Sequence, residues 1–161
     1  MSYNVYDGIL CIGGATMRIQ DKDYFHGAAL TQIVEDPSFT ALNKVDAKYG
    51  HYLINSNIRL LMKHCSSEKS PWVYTLNPAD ARIIQRDIDA GSSTFLCLIC
   101  GLVSICILNQ NQILELVSLN PSSPQTIRIE QKKGGSLWAY GSKGDCEKSI
   151  PHNAFPGCLF L

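Results

Sequence analysis

The stretch Thr94–Leu108, TFLCLICGLVSICIL, is the most apolar part of the sequence, and its structure decides the class of the protein. Its 15 residues are too few for a helix that crosses a bilayer, which needs about 20. It also lacks the flanking Lys, Arg, Trp and Tyr that anchor membrane spans. Gly101 divides it into two segments of strand length that are partly β-branched or aromatic. We therefore predict two strands buried on both faces at the centre of a sheet, joined by a hairpin turn centred on Gly101 and Leu102.

The segments around this hairpin predict one α/β (α+β) domain over residues 1–161, with a mixed β-sheet, two main helices and a β-rich C-terminal half. The first helix is predicted in HGAALTQIVED, which has apolar residues on one helical face and precedes Pro37. The second begins with Asn77 as N-cap and Pro78 in the first turn, and it ends at Gly91.

Seven other segments have the length and composition of strands. They are GILCIGGATMRIQ near the N-terminus, HYLIN, RLLMKHC and WVYTL before the second helix, and ILELVSL, TIRIEQ and LWAYG after the apolar hairpin. The apolar tail IPHNAFPGCLFL is expected to dock on the chain or to mediate self-association as a homo-oligomer. Its last four residues, Cys158–Leu161, formally match a prenylation motif, but no polybasic segment precedes them.

Charge and cysteine content exclude several classes of protein. The chain has 14 basic and 14 acidic side chains, and this zero net charge argues against a protein that wraps duplex nucleic acid. The N-terminus lacks the positive and apolar regions of a secretory signal, and most of the seven cysteines lie in apolar runs. Such cysteines are typical of reduced core thiols, so we predict a cytoplasmic protein.

Cys97 and Cys100, followed by Gly101, have the spacing of one half of a zinc knuckle. Zinc needs four ligands, however, and the sequence has no second pair of this kind. In an extended strand the two thiols would also point to opposite faces of the sheet. The four histidines have no metal-ligand spacing, and no phosphate-binding glycine loop is present. We therefore expect neither a metal nor a cofactor.

The central order of predicted elements is a helix, three strands, a helix and a buried strand, from about Tyr24 to Leu108. This order resembles the restriction-endonuclease-like core of the PD-(D/E)xK nucleases. The resemblance implies Mg²⁺ held by an Asp and by an acid two residues before a Lys. The strands that would carry this pattern have no acidic pair. Asp46-Ala47-Lys48 falls in a predicted loop and Glu130-Gln131-Lys132 comes late in the chain, so an intact nuclease site is not expected.

The segment LLMKHCSSEKSPWVYTL combines cationic and aromatic side chains. A hairpin between its two strands would bring these side chains together, with His26 nearby, as a site for a phosphate beside a planar base. The alternative is a solvated hairpin tip with both aromatic rings packed into the core. The candidate ligand-binding residues are Lys63, His64, Trp72, Tyr74 and His26. A second cluster of this kind consists of Arg128, Lys132, Lys133, Trp138 and Tyr140.

These patterns predict a non-catalytic binding module on a nuclease-like scaffold. Its expected partner is a nucleotide-like or other anionic small molecule, or single-stranded nucleic acid, and not a membrane; it could also serve as a subunit of an assembly. The alternative is a nucleic-acid-associated, nuclease-like domain with Mg²⁺-dependent activity.

Overall fold

A computed structural model of the protein describes residues 18–161, and the strands predicted around Gly13 and Gly14 lie outside this range. The described residues form three α-helices: α1 (Asp21–Glu35), α2 (Pro78–Asp89) and α3 (Gln110–Leu116). The strands are β1 (Leu42–Lys44), β2 (His51–Ile54), β3 (Ile58–Cys65), β4 (Trp72–Leu76), β5 (Ser93–Cys100), β6 (Ser104–Asn109), β7 (Gln125–Gln131) and β8 (Leu137–Gly141). A short 3₁₀ helix spans Gly157–Phe160.

The strands form two sheets. The larger has the order β1-β2-β3-β5-β6, and the smaller has the order β4-β7-β8. Strands β3 and β5 pair in parallel, and every other pair in the two sheets is antiparallel. The predicted α/β class with a mixed sheet is therefore confirmed, with one helix more than the sequence predicted.

The apolar stretch forms the predicted hairpin of β5 and β6. Its turn has Gly101 and Leu102 at the centre, and the Val103 N–H donates to the Cys100 carbonyl at 3.0 Å. Pairing resumes only at Ser104, so Val103 adds one residue to the two-residue turn that the sequence predicted. Gly101 has φ 54°, and a Cβ there would meet the Ser67 carbonyl. Glycine is therefore required at this position for its backbone angle and for space.

Strand β5 separates two hydrophobic cores. Cys97 belongs to the core under α1 and the C-terminal segment, whereas Cys100 belongs to the core between the two sheets, α2 and α3. The prediction that these thiols face opposite sides is confirmed. Strand β6 is covered on both faces, but it forms the edge of its sheet rather than the centre. The tail docks on its own chain, since Phe155 and Leu159 are buried in the α1 core.

The helix predictions succeed where the end signals are local. Helix α2 begins at Pro78 and ends at Asp89, with Gly91 in a left-handed conformation at φ 76°, as the sequence predicted. Helix α1 begins five residues before the predicted segment and ends two residues before Pro37.

The strand predicted in ILELVSL is wrong, because this segment lies largely in α3. The Asn109 side chain accepts from the Gln112 N–H at 3.0 Å, and the Gln112 side chain accepts from the Asn109 N–H at 2.9 Å. This reciprocal capping box starts a helix. Ile113 and Leu116, three residues apart, then face the core from one side of it.

The hairpin predicted between RLLMKHC and WVYTL is also wrong. Strand β3 pairs with β5 along its whole length and with β2 over its first half, and no strand pairing joins it to β4. Strand β4 instead begins the smaller sheet by pairing with β7. Within residues 18–161, no helix has the length and apolar character needed to cross a membrane.

Candidate functional site

An open cavity of about 360 Å³ lies where α1, the loop before β2, β3, β4 and the first turn of α2 meet. Most of its polar lining is basic or aromatic. The charged and aromatic residues that line it are Lys22, His26, Lys48, Tyr49, Lys63, His64, Tyr74 and Asp80. Val73 and Thr75, which point outward from β4, complete one wall. The cavity therefore brings together residues from four separate parts of the chain.

Asp80 anchors the charged side of the cavity from the first turn of α2. Its side chain is fully buried, and one oxygen accepts from the Asn77 N–H at 3.0 Å. The Lys48 ammonium lies 3.0 Å from Oδ1, and the Lys63 ammonium lies 2.9 Å from Oδ2. Burial acts to raise the pKa of Asp80, but Lys63, Lys48 and the Asn77 N–H outweigh burial and lower it below its usual value. Asp80 is therefore ionised and holds two lysines at the cavity.

Two histidines form the opposite side. His64 Nδ1 lies 3.2 Å from His26 Nε2, and the Tyr49 ring stacks on His26 with centroids 4.9 Å apart. The Lys22 ammonium lies 4.2 Å from the centre of the Tyr49 ring. His26 is 3% exposed, and its Nδ1 makes no hydrogen bond to any described residue.

Both imidazoles are neutral at pH 7. Burial, followed by the charges that His64 and Lys22 carry when protonated, lowers the pKa of His26 to about 4. Burial also lowers the pKa of His64, with a smaller contribution in the same direction from Lys63. The lysines therefore carry the positive charge of the cavity, and the histidines offer hydrogen-bonding nitrogens whose pKa values would rise beside an anion.

The structure brings four of the five candidate residues to this cavity: Lys63, His64, His26 and Tyr74. Tyr74 contributes only a wall, because its hydroxyl donates to the Ile99 carbonyl at 2.7 Å inside the core. Burial raises the pKa of Tyr74 well above its usual value.

Trp72 does not reach the cavity, and its predicted place in the binding site is therefore corrected. It is 1% exposed and packs in the core between the sheets, and its Nε1–H donates to the Ser67 carbonyl at 2.8 Å. Residues of β4 alternate between core and solvent, so Trp72 and Tyr74 point inward together. The Trp72 ring therefore has no free face for a ligand to stack on.

Sequence reasoning missed Lys22, Tyr49 and the role of Asp80. In the sequence, Asp80 has only the pattern of an acidic residue in the first turn of a helix, and Lys48 appears only in the Asp46-Ala47-Lys48 triplet. Nothing in the local sequence shows that their side chains meet, because tertiary packing brings them together over more than 30 residues.

The two acid-x-Lys triplets do not form a metal site. Asp46 lies 3.6 Å from His51 Nδ1 and 3.6 Å from an Arg86 nitrogen, and Glu130 pairs with Arg128 at 2.8 Å. Over residues 18–161, no three His, Cys, Asp or Glu side chains are grouped so that they could bind a metal. The six described cysteines are free thiols.

Comparisons with known proteins do not assign this fold and site to a class. No protein-family model, no curated protein and no solved structure matches the chain. The function is therefore inferred from the chemistry of the cavity and of the surfaces next to it.

Proposed function

We propose that the protein is a non-catalytic binding module whose cavity takes the phosphate group of a nucleotide-like ligand. The excess of positive charge supports this proposal most directly. Lys22, Lys48 and Lys63 surround the cavity, whereas Asp80 is the only carboxylate among its lining residues. Asp80 compensates one of these charges, and Asp23 and Asp21 lie close enough to act on His26 and His64, so a bound anion would meet at most two lysine charges that are not compensated.

The lysines are also held in place before a ligand arrives. Lys48 and Lys63 each contact the buried carboxylate of Asp80, and their side chains remain 37% and 22% exposed. A phosphate can therefore approach ammonium groups whose positions are already restricted, which reduces the entropy lost on binding. The neutral imidazoles of His26 and His64 add hydrogen-bonding groups beside them.

The proposal is tested by titrating the protein with inorganic phosphate and with ATP in a calorimeter, and by following thermal stability with each. Lys22→Ala is the informative variant, because Lys22 has no ion-pair partner among the described residues. We expect it to weaken ATP binding several-fold at low salt and to lower stability by no more than about 1 kcal/mol, the contribution of the contact between Lys22 and the Tyr49 ring. Lys63→Ala is less suitable, since it also leaves the buried Asp80 with one cation fewer.

Lys44→Ala is the matched control, because Lys44 is exposed on β1 and does not line the cavity. Equal affinities of the Lys22→Ala and Lys44→Ala variants would contradict the proposal. The absence of any phosphate or ATP binding to the wild-type protein would contradict it as well.

Since the described cysteines are free thiols, we further propose that the protein works in the reducing cytoplasm.

A nuclease-like domain with Mg²⁺-dependent activity is the second candidate. The order α1, β1, β2, β3, β4, α2, β5 favours it, because apart from the short strand β1 it matches the element order of the nuclease core. Two observations disfavour it. Strand β4 belongs to the smaller sheet, and the carboxylates of residues 18–161 are not grouped so that they could bind a metal. Mg²⁺-dependent cleavage of single-stranded DNA or RNA, abolished by Asp80→Asn, would favour this candidate over the binding module.

A further inference from the structure

The outer face of the smaller sheet carries aromatic and basic side chains toward solvent. Strands β7 and β8 bury alternate residues, so Arg128, Glu130, Trp138 and Tyr140 lie on the opposite, outer face. Trp138 and Tyr140 are half-buried, unlike the fully buried Trp72. We call the four residues Arg128, Lys132, Trp138 and Tyr140 the platform.

Each aromatic ring of the platform has a cation over it. The Lys132 ammonium lies 4.5 Å from the centre of the Trp138 ring, and the Arg128 guanidinium lies 4.6 Å from that of Tyr140. Arg128 also pairs with Glu130 at 2.8 Å. Cations beside aromatic faces are the combination with which proteins bind single strands, where bases stack on the rings and phosphates meet the cations.

The platform continues into the cavity. Arg128 is paired with Val73 of β4 on one side and with Tyr140 of β8 on the other, so these three residues form a row across the sheet. Val73 and Thr75 also form one wall of the cavity. With strands about 4.8 Å apart, Tyr140 lies roughly 10 Å from that wall. About three stacked nucleotides span this distance.

We propose that the platform and the cavity form one binding track for single-stranded nucleic acid, with bases on Trp138 and Tyr140 and a phosphate among the lysines. This proposal rests on the proposed function only for the phosphate in the cavity. The zero net charge of the chain and the small size of the face disfavour a duplex, whose backbone requires a broad basic surface. Stacking on the half-buried rings of Trp138 and Tyr140 needs unpaired bases, and it tolerates any base sequence.

The test is fluorescence anisotropy of labelled oligo(dT) and oligo(U) of ten nucleotides at low salt, compared with ATP and with a hairpin duplex. We expect the oligonucleotides to bind at least tenfold more tightly than ATP, and binding to weaken as salt rises. Trp138→Ala should weaken oligonucleotide binding by about 5- to 160-fold, the effect expected for the loss of one stacked base. It should leave ATP and phosphate binding unchanged, and Trp138→Phe should restore part of the affinity.

Two further variants separate a binding role from a structural one. Oligonucleotide binding by Tyr140→Ala is compared with binding by the control variant Tyr24→Ala. Tyr24 is 59% exposed on α1 and lies outside both the cavity lining and the platform. Glu130→Gln should tighten oligonucleotide binding several-fold, since it removes a carboxylate and releases Arg128. A purely structural role for the two cation–aromatic pairs predicts no such gain.

The two proposals can fail separately. If Trp138→Ala and Tyr140→Ala bind oligonucleotides as tightly as Tyr24→Ala does, or if the duplex binds as tightly as the single strands, the track is overturned. Phosphate binding that depends on Lys22 would still stand in that case. If oligonucleotide binding depends on Trp138 but not on Lys22, the cavity is not the phosphate site and the platform alone binds the strand.

Discussion

Replacing Asp80 with asparagine should make the protein less stable and, at the same time, a better anion binder. Asn has nearly the same volume as Asp, and its side-chain oxygen can still accept the Asn77 N–H, so the start of α2 is preserved. The negative charge between Lys48 and Lys63 is lost. The substitution therefore separates the structural role of Asp80 from its effect on the charge of the cavity.

The loss of stability follows from the two ion pairs. Both lysines are partly exposed, so each pair falls between an exposed pair, worth at most about 1 kcal/mol, and a buried charge-assisted contact, worth about 1.5–3 kcal/mol. We expect a loss of about 2 kcal/mol in the free energy of unfolding, or about 4–8 °C in Tm. Because the pKa of Asp80 is lowered by folding, this contribution is present above its unfolded value of 3.8 and is lost as pH falls through the folded value. The variant and the wild type should therefore become equally stable in acid.

The gain in binding follows from Coulomb's law. Removing one negative charge about 6 Å from a bound singly charged anion is worth about 0.7 kcal/mol in water and about 2.8 kcal/mol at an effective dielectric constant of 20. These values correspond to roughly 3- to 100-fold in affinity, and an open cavity favours the lower part of this range.

Urea unfolding at several pH values and calorimetric titration with ATP measure the two effects. Asp89→Asn is the control, because Asp89 is exposed near the other end of the same helix. If Asp80→Asn loses stability and also loses ATP affinity, Asp80 contributes to binding other than through its charge, and the electrostatic argument is refuted. If it loses no stability relative to Asp89→Asn, the two ion pairs do not have the energetic role assigned to them.

Three other predictions follow from the structure. Since folding lowers the pKa of His26 from 6.5 to about 4, the unfolded chain binds the extra proton, and stability should fall by about 3 kcal/mol as pH drops across this range. His26→Gln should reduce this slope in urea titrations. Trp72→Phe removes the hydrogen bond to the Ser67 carbonyl and should lower the free energy of unfolding in denaturant by about 1–3 kcal/mol. ATP affinity should not change, and a large loss of affinity would show that Trp72 belongs to the binding site. Gly101→Ala should cost more than Gly91→Ala by thermal denaturation, because both have positive φ but only Gly101 would place a Cβ against backbone, and equal losses would contradict this steric explanation.

The sequence predicted the elements whose signals lie within a few residues. Asn77, Pro78 and Gly91 determine the ends of α2 by capping chemistry, which needs no tertiary partner. The alternation of side chains along a strand also needs no tertiary partner, and it correctly placed Cys97 and Cys100 on opposite faces of the sheet. The segment ILELVSL is the exception, because it suits either a strand or a short helix, and the capping box of Asn109 and Gln112 that starts the helix, although local, lies before it.

The candidate site was predicted only in part, because its geometry depends on which strands pair. Assigning β4 to the smaller sheet places Trp72 in the core and leaves Val73 facing the cavity, and no local pattern reveals that assignment. Lys63 and His64 line the cavity because they meet Asp80 and His26, and not through the hairpin that the sequence predicted. Convergence of this kind is determined by packing between distant segments.

The pairing of β4 with β7 affects the order in which the chain can fold during synthesis. All five strands of the larger sheet have been made once Asn109 has been added, so that sheet can assemble early. Strand β4 is made before β5 and β6, but its partner β7 begins only at Gln125. Strand β4 therefore lacks its hydrogen-bonding partner strand while about 50 further residues are added. An unpaired apolar strand is prone to aggregation, so the nascent chain is most vulnerable in this interval.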